Sequence, residues 1–470
     1  MKLTFAASID KAPKGYVRVR LTEEDTGIKR IVRENGIEWL ELGAGKPSEM
    51  NLRKFMRLCR AIVRAAKAGK YTKVALQFDR TPALFKNLGH VTPEEISTIA
   101  AQNFVAANFE FTRYKSKPSV GSPRIEELYL CGKSSKSIEA AARKGVVIGE
   151  GVNFARTLAN TPSSDMTPMH LAKEARLAVK GLPITVTILG KKEMQKLGMG
   201  AVLAVGKGSG AEPAFIALEY KGAAGAPVVL AGKGVTFDSG GINLKQDGGH
   251  EMHMDMSGGA AVIAAVMTAA KLKLKKHVVG LVPAVENMPG PHAYRIHDVI
   301  TSLSGKTIEI MNTDAEGRVI LADALAYAKR YKPSVVLDVA TLTGAAMVAL
   351  GTVADGLFTK DDALAKKIEE TGEATGDYVW RLPLWDEYEP QVKGTIGDVV
   401  NATPPGNRYG GAINGAMFLW QFAKDLDCPW AHIDIAPRMT TSEADELAKG
   451  SSGTPVRLLV RFIEEWNPKS

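Results

Sequence analysis

Two carboxylates and a guanidinium occupy alternate positions in Asn312-Thr-Asp-Ala-Glu-Gly-Arg318: Asp314, Glu316 and Arg318. On a helix, residues i and i+2 point away from each other, whereas on extended chain they share a face. Two converging anions beside a cation repel one another unless something positive joins them. A divalent metal is the natural candidate. Taken alone, the segment also reads as a charged turn capping a helix.

A second cluster of acids and lysines precedes the first. Gly232-Lys-Gly-Val-Thr-Phe-Asp-Ser-Gly-Gly241 carries Lys233 and Asp238, Lys245 follows in Ile242-Asn-Leu-Lys245, and Asp255 lies in Met252-His-Met-Asp-Met-Ser-Gly-Gly259. The glycines allow backbone to approach a bound group closely. Neither Gly-x4-Gly-Lys-Ser/Thr nor Gly-x-Gly-x-x-Gly occurs here, which argues against a phosphate loop. Each residue alone has a plain reading, Asp238 as a turn residue and the lysines as solvated side chains. Two acid clusters, each after a strand, are harder to explain that way.

The elements around these clusters follow from periodicity. Thr307-Ile-Glu-Ile-Met311 alternates as a strand does, and Val319 to Ala328 has helical spacing, so Asp314, Glu316 and Arg318 are expected at a strand end where a helix begins. Apolar runs at Ile184–Leu189, Pro227–Ala231, Val278–Val285, Ser334–Asp338 and His432–Ala436 alternate with helical patterns, among them Ala260–Leu272. Fully apolar strands separated by helices predict an α/β fold, its sheet mixed, mainly parallel and covered on both faces. Loops after such strands are where chemistry is expected.

Upstream, Leu52–Lys67 reads as an arginine-studded amphipathic helix, Lys73–Phe78 and Leu128–Cys131 as strands, and Tyr114–Arg124 as a Pro/Gly/Ser loop. A helical stretch from Ser137 to Leu158 ends at Asn160-Thr-Pro162. The boundary is placed there, giving a smaller α/β domain over 1–150 and a larger α/β catalytic domain over 151–470.

The chain has 470 residues, 45% of them hydrophobic, which is an ordinary globular composition with room for two domains. Its net charge of +9 is uneven: residues 1–150 hold 27 Lys and Arg against 16 Asp and Glu, a net of +11, and the remainder is near −2. A nucleic-acid surface on the first third is one reading. Without aromatic interleaving or a recognition motif, a lysine-rich soluble face is favoured. Cys59, Cys131 and Cys428 are odd in number and far apart, which points to a reducing compartment. Met1–Asp10 lacks the apolar core of a signal peptide, and no stretch has the length of a charge-free membrane span. The expectation is a cytoplasmic protein.

The pair GKGVTFDSGGINLK and NTDAEGR resembles the leucyl aminopeptidase (cytosol aminopeptidase) family. The likeness continues through KLGMGAVLAVGKGS, DVATLTGAAMVALG, WRLPLWDEY and WAHIDIAPRMT, over residues 140–470. It implies a metal-dependent aminopeptidase with two divalent ions per subunit. One would be held by Lys233, Asp238, Asp255 and Glu316, the other by Asp238, Asp314 and Glu316. The donor set suits manganese, magnesium or cobalt as well as zinc. Lys245 would act as electrophile on the tetrahedral oxyanion. Arg318 would hold bicarbonate as the base, and the nucleophile would be a hydroxide bridging the metals.

The resemblance also implies a substrate pocket. Met252, Thr341, Gly344, Ala436 and Met439 would wall the first side chain, Asn312 and Ala315 would flank the second, and Leu342 would hold the peptide through its backbone. Methionines give an adaptable apolar wall, so Leu-like or Met-like first residues are expected, although Met252 and Met439 also read as core. Asn243, Gln246, His253, the Pro-rich stretch Asn401–Gly410 and Pro437-Arg438 depart from the family pattern. His253 is expected near the site or at the surface, not as a further ligand. Assembly as a homohexamer, a dimer of trimers, is implied as well. Rival readings are a dipeptidase or cysteinylglycinase of the same chemistry, and a DNA-binding role for the basic domain.

Overall fold

The computed structural model describes residues 1–27, 29–78, 86–88, 91–116, 123–403 and 409–468. Parts of the expected loop Tyr114–Arg124 and of the stretch Asn401–Gly410 lie outside the described residues. The chain forms two compact units, one of Met1–Asn153 with Thr441–Lys449, the other of Phe154–Thr440 with Gly450–Ser470. The division falls inside the helix Lys136–Asn160.

Among the described residues the first unit has a six-stranded sheet. Its order is Lys2–Ala6, Glu127–Cys131, Lys73–Gln77, Val17–Thr22, Ile37–Gly43 and Lys29–Glu34. All neighbours are parallel except the last pair. The helix Leu52–Ala68 starts where Asn51 Oδ1 accepts the Lys54 amide at 2.9 Å, a cap worth ~1 kcal/mol. Its apolar face, Phe55, Met56, Ile62 and Ala66, enters the core of this unit.

Several of the unit's cations have partners within it. Arg60 donates to Asn103 Oδ1 and to the Asp445 carbonyl, Arg64 to the Leu447 carbonyl, and Lys67 pairs with Glu110. Arg20 and Arg30 both pair with the buried Glu41.

The second unit is built on a nine-stranded sheet among the described residues. Its order is Val379–Arg381, Asp355–Phe358, Trp430–Asp434, Val335–Ala340, Val228–Gly232, His277–Asn287, Ala214–Lys221 and Ile184–Leu189. Gly234–Asp238 adds alongside the far end of His277–Asn287. Five of the eight pairings are parallel. The expected mixed, mainly parallel sheet is what forms. Its central strands are buried throughout, as their Val/Leu/Ala composition requires.

The helices Ser257–Lys271 and Glu316–Ala328 pack on this sheet. Trp430–Asp434, Val335–Ala340 and Val228–Gly232 are mutually parallel, so their carboxyl ends lie along one edge. Lys233, Thr341 and the end of Asp434's strand therefore converge there.

The NTDAEGR segment differs from the sequence expectation in its strand, its sheet and where its helix starts. The preceding strand is only Thr307–Glu309 and belongs to a separate three-stranded sheet with Val299–Thr301 and Val399–Val400. Residues 310–315 form a turn, and the helix begins at Glu316. Asp314 is thus in the turn, whereas Glu316 and Arg318 lie in the helix's first turn. Alternation over five residues could not reveal which sheet the strand would join.

Candidate metal centre and active site

Both acid clusters meet at this edge. Asp238, Asp255 and Glu316 are buried and each offers an oxygen within 4.8 Å of the others. Lys233 Nζ lies 2.7 Å from Asp255 Oδ2 and 2.8 Å from Glu316 Oε1, and donates to the Thr341 carbonyl at 3.0 Å. Lys245 Nζ lies 2.7 Å from Asp238 Oδ2 and 2.5 Å from Asp314 Oδ1. The sequence separation of these partners is bridged by close packing. A Cβ on Gly317 would come within 2.6 Å of Lys233 Cε, so only glycine lets that lysine lie against the helix start.

Burial raises Glu316, Asp255 and Asp314 above the ordinary carboxylate range, and the Asp238 charge adds to it in each case. Burial alone would pull Lys233 and Lys245 down. The carboxylates around them outweigh it, chiefly Asp255 and Glu316 for Lys233 and Asp238 and Asp314 for Lys245, so both are held as ammonium. Two ammoniums beside four carboxylates leave the cluster short of positive charge.

Oxygens are left over too. Lys233 and Lys245 stand at ion-pair distance from Asp255 Oδ2, Glu316 Oε1 and Asp314 Oδ1 but make no directed hydrogen bond to them, and Glu316 Oε2 has no hydrogen-bond partner. Buried carboxylate oxygens without donors fit a cation, and an all-oxygen set with one amine fits a hard or borderline divalent ion.

Neighbours orient the cluster. Asp238 Oδ1 accepts from the Gly240 amide and from Asn287 Nδ2, both at 2.8 Å, which leaves Oδ2 facing inward. Asn287 Nδ2 also donates to the Thr313 carbonyl at 2.9 Å, as Tyr294 Oη does at 2.8 Å. Thr341 Oγ1 donates to Asp255 Oδ1 at 2.7 Å. Asn401, fully buried, braces the other side: its Oδ1 accepts from the Met311 and Asn312 amides, its Nδ2 donates to the Asn312 and Ala315 carbonyls, and its own carbonyl accepts from Arg318 Nη1 at 3.0 Å. Arg318 Nε is buried with no hydrogen-bond partner, and burial pulls this guanidinium down to about 10.

Sequence reasoning missed Asn287, Tyr294, Thr313, Asn401 and Asp434. Asn287, Tyr294 and Asn401 lie outside the motifs, whereas Thr313 sits inside NTDAEGR and Asp434 inside WAHIDIAPRMT; all five are of ordinary types that no local spacing marks.

The expected pocket residues fall around the same edge. Asp434 Oδ1 accepts from the Leu342 amide at 3.0 Å and the Ala436 amide at 3.2 Å, joining those two segments. Gly344 opens the helix Gly344–Leu350, capped by Thr343 Oγ1. Asn312 Oδ1 accepts from the Asp314 amide, so Asn312 and Ala315 flank the acid turn. Met252 lies in the turn Gly249–Met254, which packs on Gly234–Asp238, and Met439 is buried beside the turn Ala436–Arg438. Arg438 is buried, donating to the Gly376 carbonyl and lying over Tyr378. His253 reaches the His250 carbonyl and is no member of the acid group.

The catalytic-domain model of the cytosol aminopeptidase family matches residues 153–460, and that family's N-terminal-domain model matches residues 39–118. The chain belongs to the cytosol aminopeptidase family. Relatives agree. A probable cytosol aminopeptidase of Roseiflexus castenholzii is 43% identical over 436 residues, 91% of this chain and 87% of its own length. One of Nitrosospira multiformis is 41% identical over 98% of this chain and 90% of its own length. Among solved structures, the bottromycin maturation enzyme BotP superposes with a TM-score of 0.85 at 32% identity, covering 96% of this chain and 98% of its own. A second BotP structure, in complex with Mn, gives 0.85 at 31% identity.

Membership in the cytosol aminopeptidase family makes the chain a metal-dependent hydrolase that acts on peptides from their amino terminus. The buried Asp238–Asp255–Glu316 group has the chemistry and spacing to hold a metal ion. No described helix is long and apolar enough to cross a membrane.

Proposed function

We propose that this aminopeptidase releases apolar, Leu-like or Met-like, first residues from peptides, using two divalent ions. Lys233, Asp238, Asp255 and Glu316 would hold one ion, and Asp238, Asp314 and Glu316 the other. Bound there, the ions would activate water and polarise the scissile carbonyl near neutral pH. The observation that carries this reading is the buried Glu316 Oε2, without a hydrogen-bond partner, inside a cluster of four carboxylates and only two ammoniums.

The two lysines take different roles. Lys233 is 4% exposed along its side chain and ringed by Asp255, Glu316 and the Thr341 carbonyl, which suits a ligand that gives up its proton when a dication arrives. Lys245 is 18% exposed, beside Asp314 at 32%, so it stands on the open side. From there it keeps its proton and donates to the oxyanion as the carbonyl becomes tetrahedral.

Arg318 binds a small anion, bicarbonate in this reading, through the guanidinium edge that Asn401 leaves free. That anion takes the proton from the attacking water. Apolar preference is assigned to Met252 and Met439 with Thr341, Gly344 and Ala436, and the second residue of the peptide to Asn312, Ala315 and the Leu342 backbone. The cytoplasm is the assigned setting, consistent with three free thiols.

The test is hydrolysis of Leu- and Met-initiated peptides by purified protein of known metal content. Exhaustive chelation should abolish turnover, and manganese or zinc should restore it. Turnover that survives chelation would overturn the proposal.

A further inference from the structure

We propose that Asp434 is a positioning residue that sets the side-chain preference by pinning together the two segments expected to wall the pocket for the first residue. The inference rests on the aminopeptidase reading and deepens it.

Asp434 ends the strand Trp430–Asp434, opposite Ala340 in the parallel neighbour Val335–Ala340. Beyond that point the two chains leave the sheet, one as Thr341–Gly344 and the other as Ile435–Met439. A single hydrogen bond between backbones, Ile435 N to the Ala340 carbonyl, joins them at the exit. From there on Asp434 provides the link. Its Oδ1 accepts from the amides of Leu342 at 3.0 Å, Thr343 at 3.4 Å and Ala436 at 3.2 Å. Its Oδ2 accepts from Thr343 Oγ1 at 2.7 Å. That hydroxyl oxygen in turn accepts the Ala346 amide at 3.1 Å, which starts the helix Gly344–Leu350. One fully buried carboxylate thus fixes the Leu342 backbone, the first turn of that helix and the Ala436 corner.

The chemistry demands a carboxylate or its close mimic. Donors converge on both oxygens, and a residue without acceptors would leave three amides unpaired, those of Thr343 and Ala436 buried and that of Leu342 half-buried. Relaxation of either segment would move Thr341, Gly344 and Ala436 relative to one another. Asp434 makes no hydrogen bond to Asp238, Asp255, Asp314 or Glu316, and reaches that cluster only through Thr341, which bonds Asp255 and Lys233, and through its charge on Arg318.

The experiment uses the full-length, metal-loaded protein and three variants, Asp434→Ala, Asp434→Asn and Thr343→Val. It reads metal content, leucine binding by calorimetry, and kcat and KM on Leu-, Met- and Ala-initiated dipeptides. Asp434→Ala should keep its metal, raise KM about tenfold and flatten the Leu-over-Ala preference, with kcat changed less. Asp434→Asn should recover most of this, since its oxygen still accepts the amides and its Nδ2 can donate to Thr343 Oγ1. Thr343→Val, which removes one bond only, should shift KM the same way by a smaller factor, and it carries the test where Asp434→Ala does not fold.

KM, leucine affinity and preference unmoved in folded Asp434→Ala or in Thr343→Val would overturn the proposal. So would an equal loss of kcat on all three substrates together with loss of metal. Unsubstituted protein that neither turns over nor binds leucine would remove the aminopeptidase reading itself, and this inference with it.

Discussion

Asn243 and Thr313 hold each other: the Asn243 amide donates to Thr313 Oγ1 at 2.8 Å, and the Thr313 amide donates to Asn243 Oδ1 at 2.9 Å. Thr313 Oγ1 also donates to the Gly240 carbonyl at 2.7 Å. The clasp joins the turn that carries Asp238 and Lys245 to the turn that carries Asp314. Asn243 stands where the family pattern has serine, and the shorter side chain could not carry its oxygen as far toward the Thr313 amide. Asn243→Ser should therefore loosen Lys245 against Asp314 while leaving the buried acids in place. Loss of one such bond is worth ~1 kcal/mol, so turnover should fall several-fold, up to about tenfold, at unchanged metal content. Unchanged turnover would mean that Asn287 and Tyr294, which hold the Thr313 carbonyl, suffice without the clasp.

Removing ligands and removing the electrophile should separate. Asp314→Asn and Glu316→Gln are expected to lose metal and activity together, because each removes an anionic oxygen that would hold a divalent ion. Lys245→Ala should retain metal and lose turnover, since its assigned contact exists only as the oxyanion forms. Metal analysis beside kcat decides the matter. Lys245→Ala with normal kcat would show that the role is misassigned.

Substrate amine should matter as much as side chain. A divalent ion in this centre would be able to take the substrate's free amine and so select the first peptide bond; Leu-peptides should then be cleaved and their amino-acetylated forms should not. Chromatography of both digests is sufficient. Equal rates would place the selection elsewhere.

A pH prediction comes from Asp355, distant from the acid cluster in sequence and fully buried. Burial pushes it up to about 7, against the opposing charge of Arg438 and the hydrogen bond from Thr454 Oγ1. The unfolded chain has an aspartate near ~3.9. A folded pKa above the unfolded one means the folded state keeps its proton longer. Its contribution to stability is then full below about pH 4 and is lost as pH rises toward about 7, with a slope of at most ~1.4 kcal/mol per unit. Asp355→Asn should flatten the decline in Tm across that window. Parallel Tm curves for the two proteins would mean that Arg438 keeps Asp355 ionised throughout.

How much of this was legible in the sequence differs from residue to residue. The apolar runs gave the central strands to within about two residues, because a strand covered on both faces must be apolar throughout. Asp238, Asp314, Glu316, Lys233 and Lys245 were legible as clusters at strand ends, and the structure brings them together. Asn287 and Asn401 were not. Each acts by spanning gaps between segments 26 to 90 residues apart, a relation that only the folded chain creates. The strand at Thr307 was read correctly in kind, but pairing with Val399–Val400 depends on partners that periodicity does not name. Arg438, a departure from the family pattern, has its side chain taken up by the Gly376 carbonyl, a partner that sequence does not name.

Assembly gives the last prediction. A hexamer, a dimer of trimers with catalytic domains at the centre, is the arrangement the family resemblance implies, and charge supports it. Residues 1–150 carry a net of +11 and the remainder only −2. A near-neutral domain can lie against its own copies with little repulsion, whereas the strongly basic one is better kept in solvent. Closed symmetry around inward-facing sites would admit short or unfolded peptides and exclude folded proteins, which suits an enzyme that needs a free amino terminus within reach of a buried cluster. Light scattering at physiological salt should give a mass near six times 50.4 kDa. Raising the salt should not dissociate it, because the contacts argued for are between near-neutral faces. A stable monomer with full activity would mean that each chain works alone and that its site opens directly to solvent.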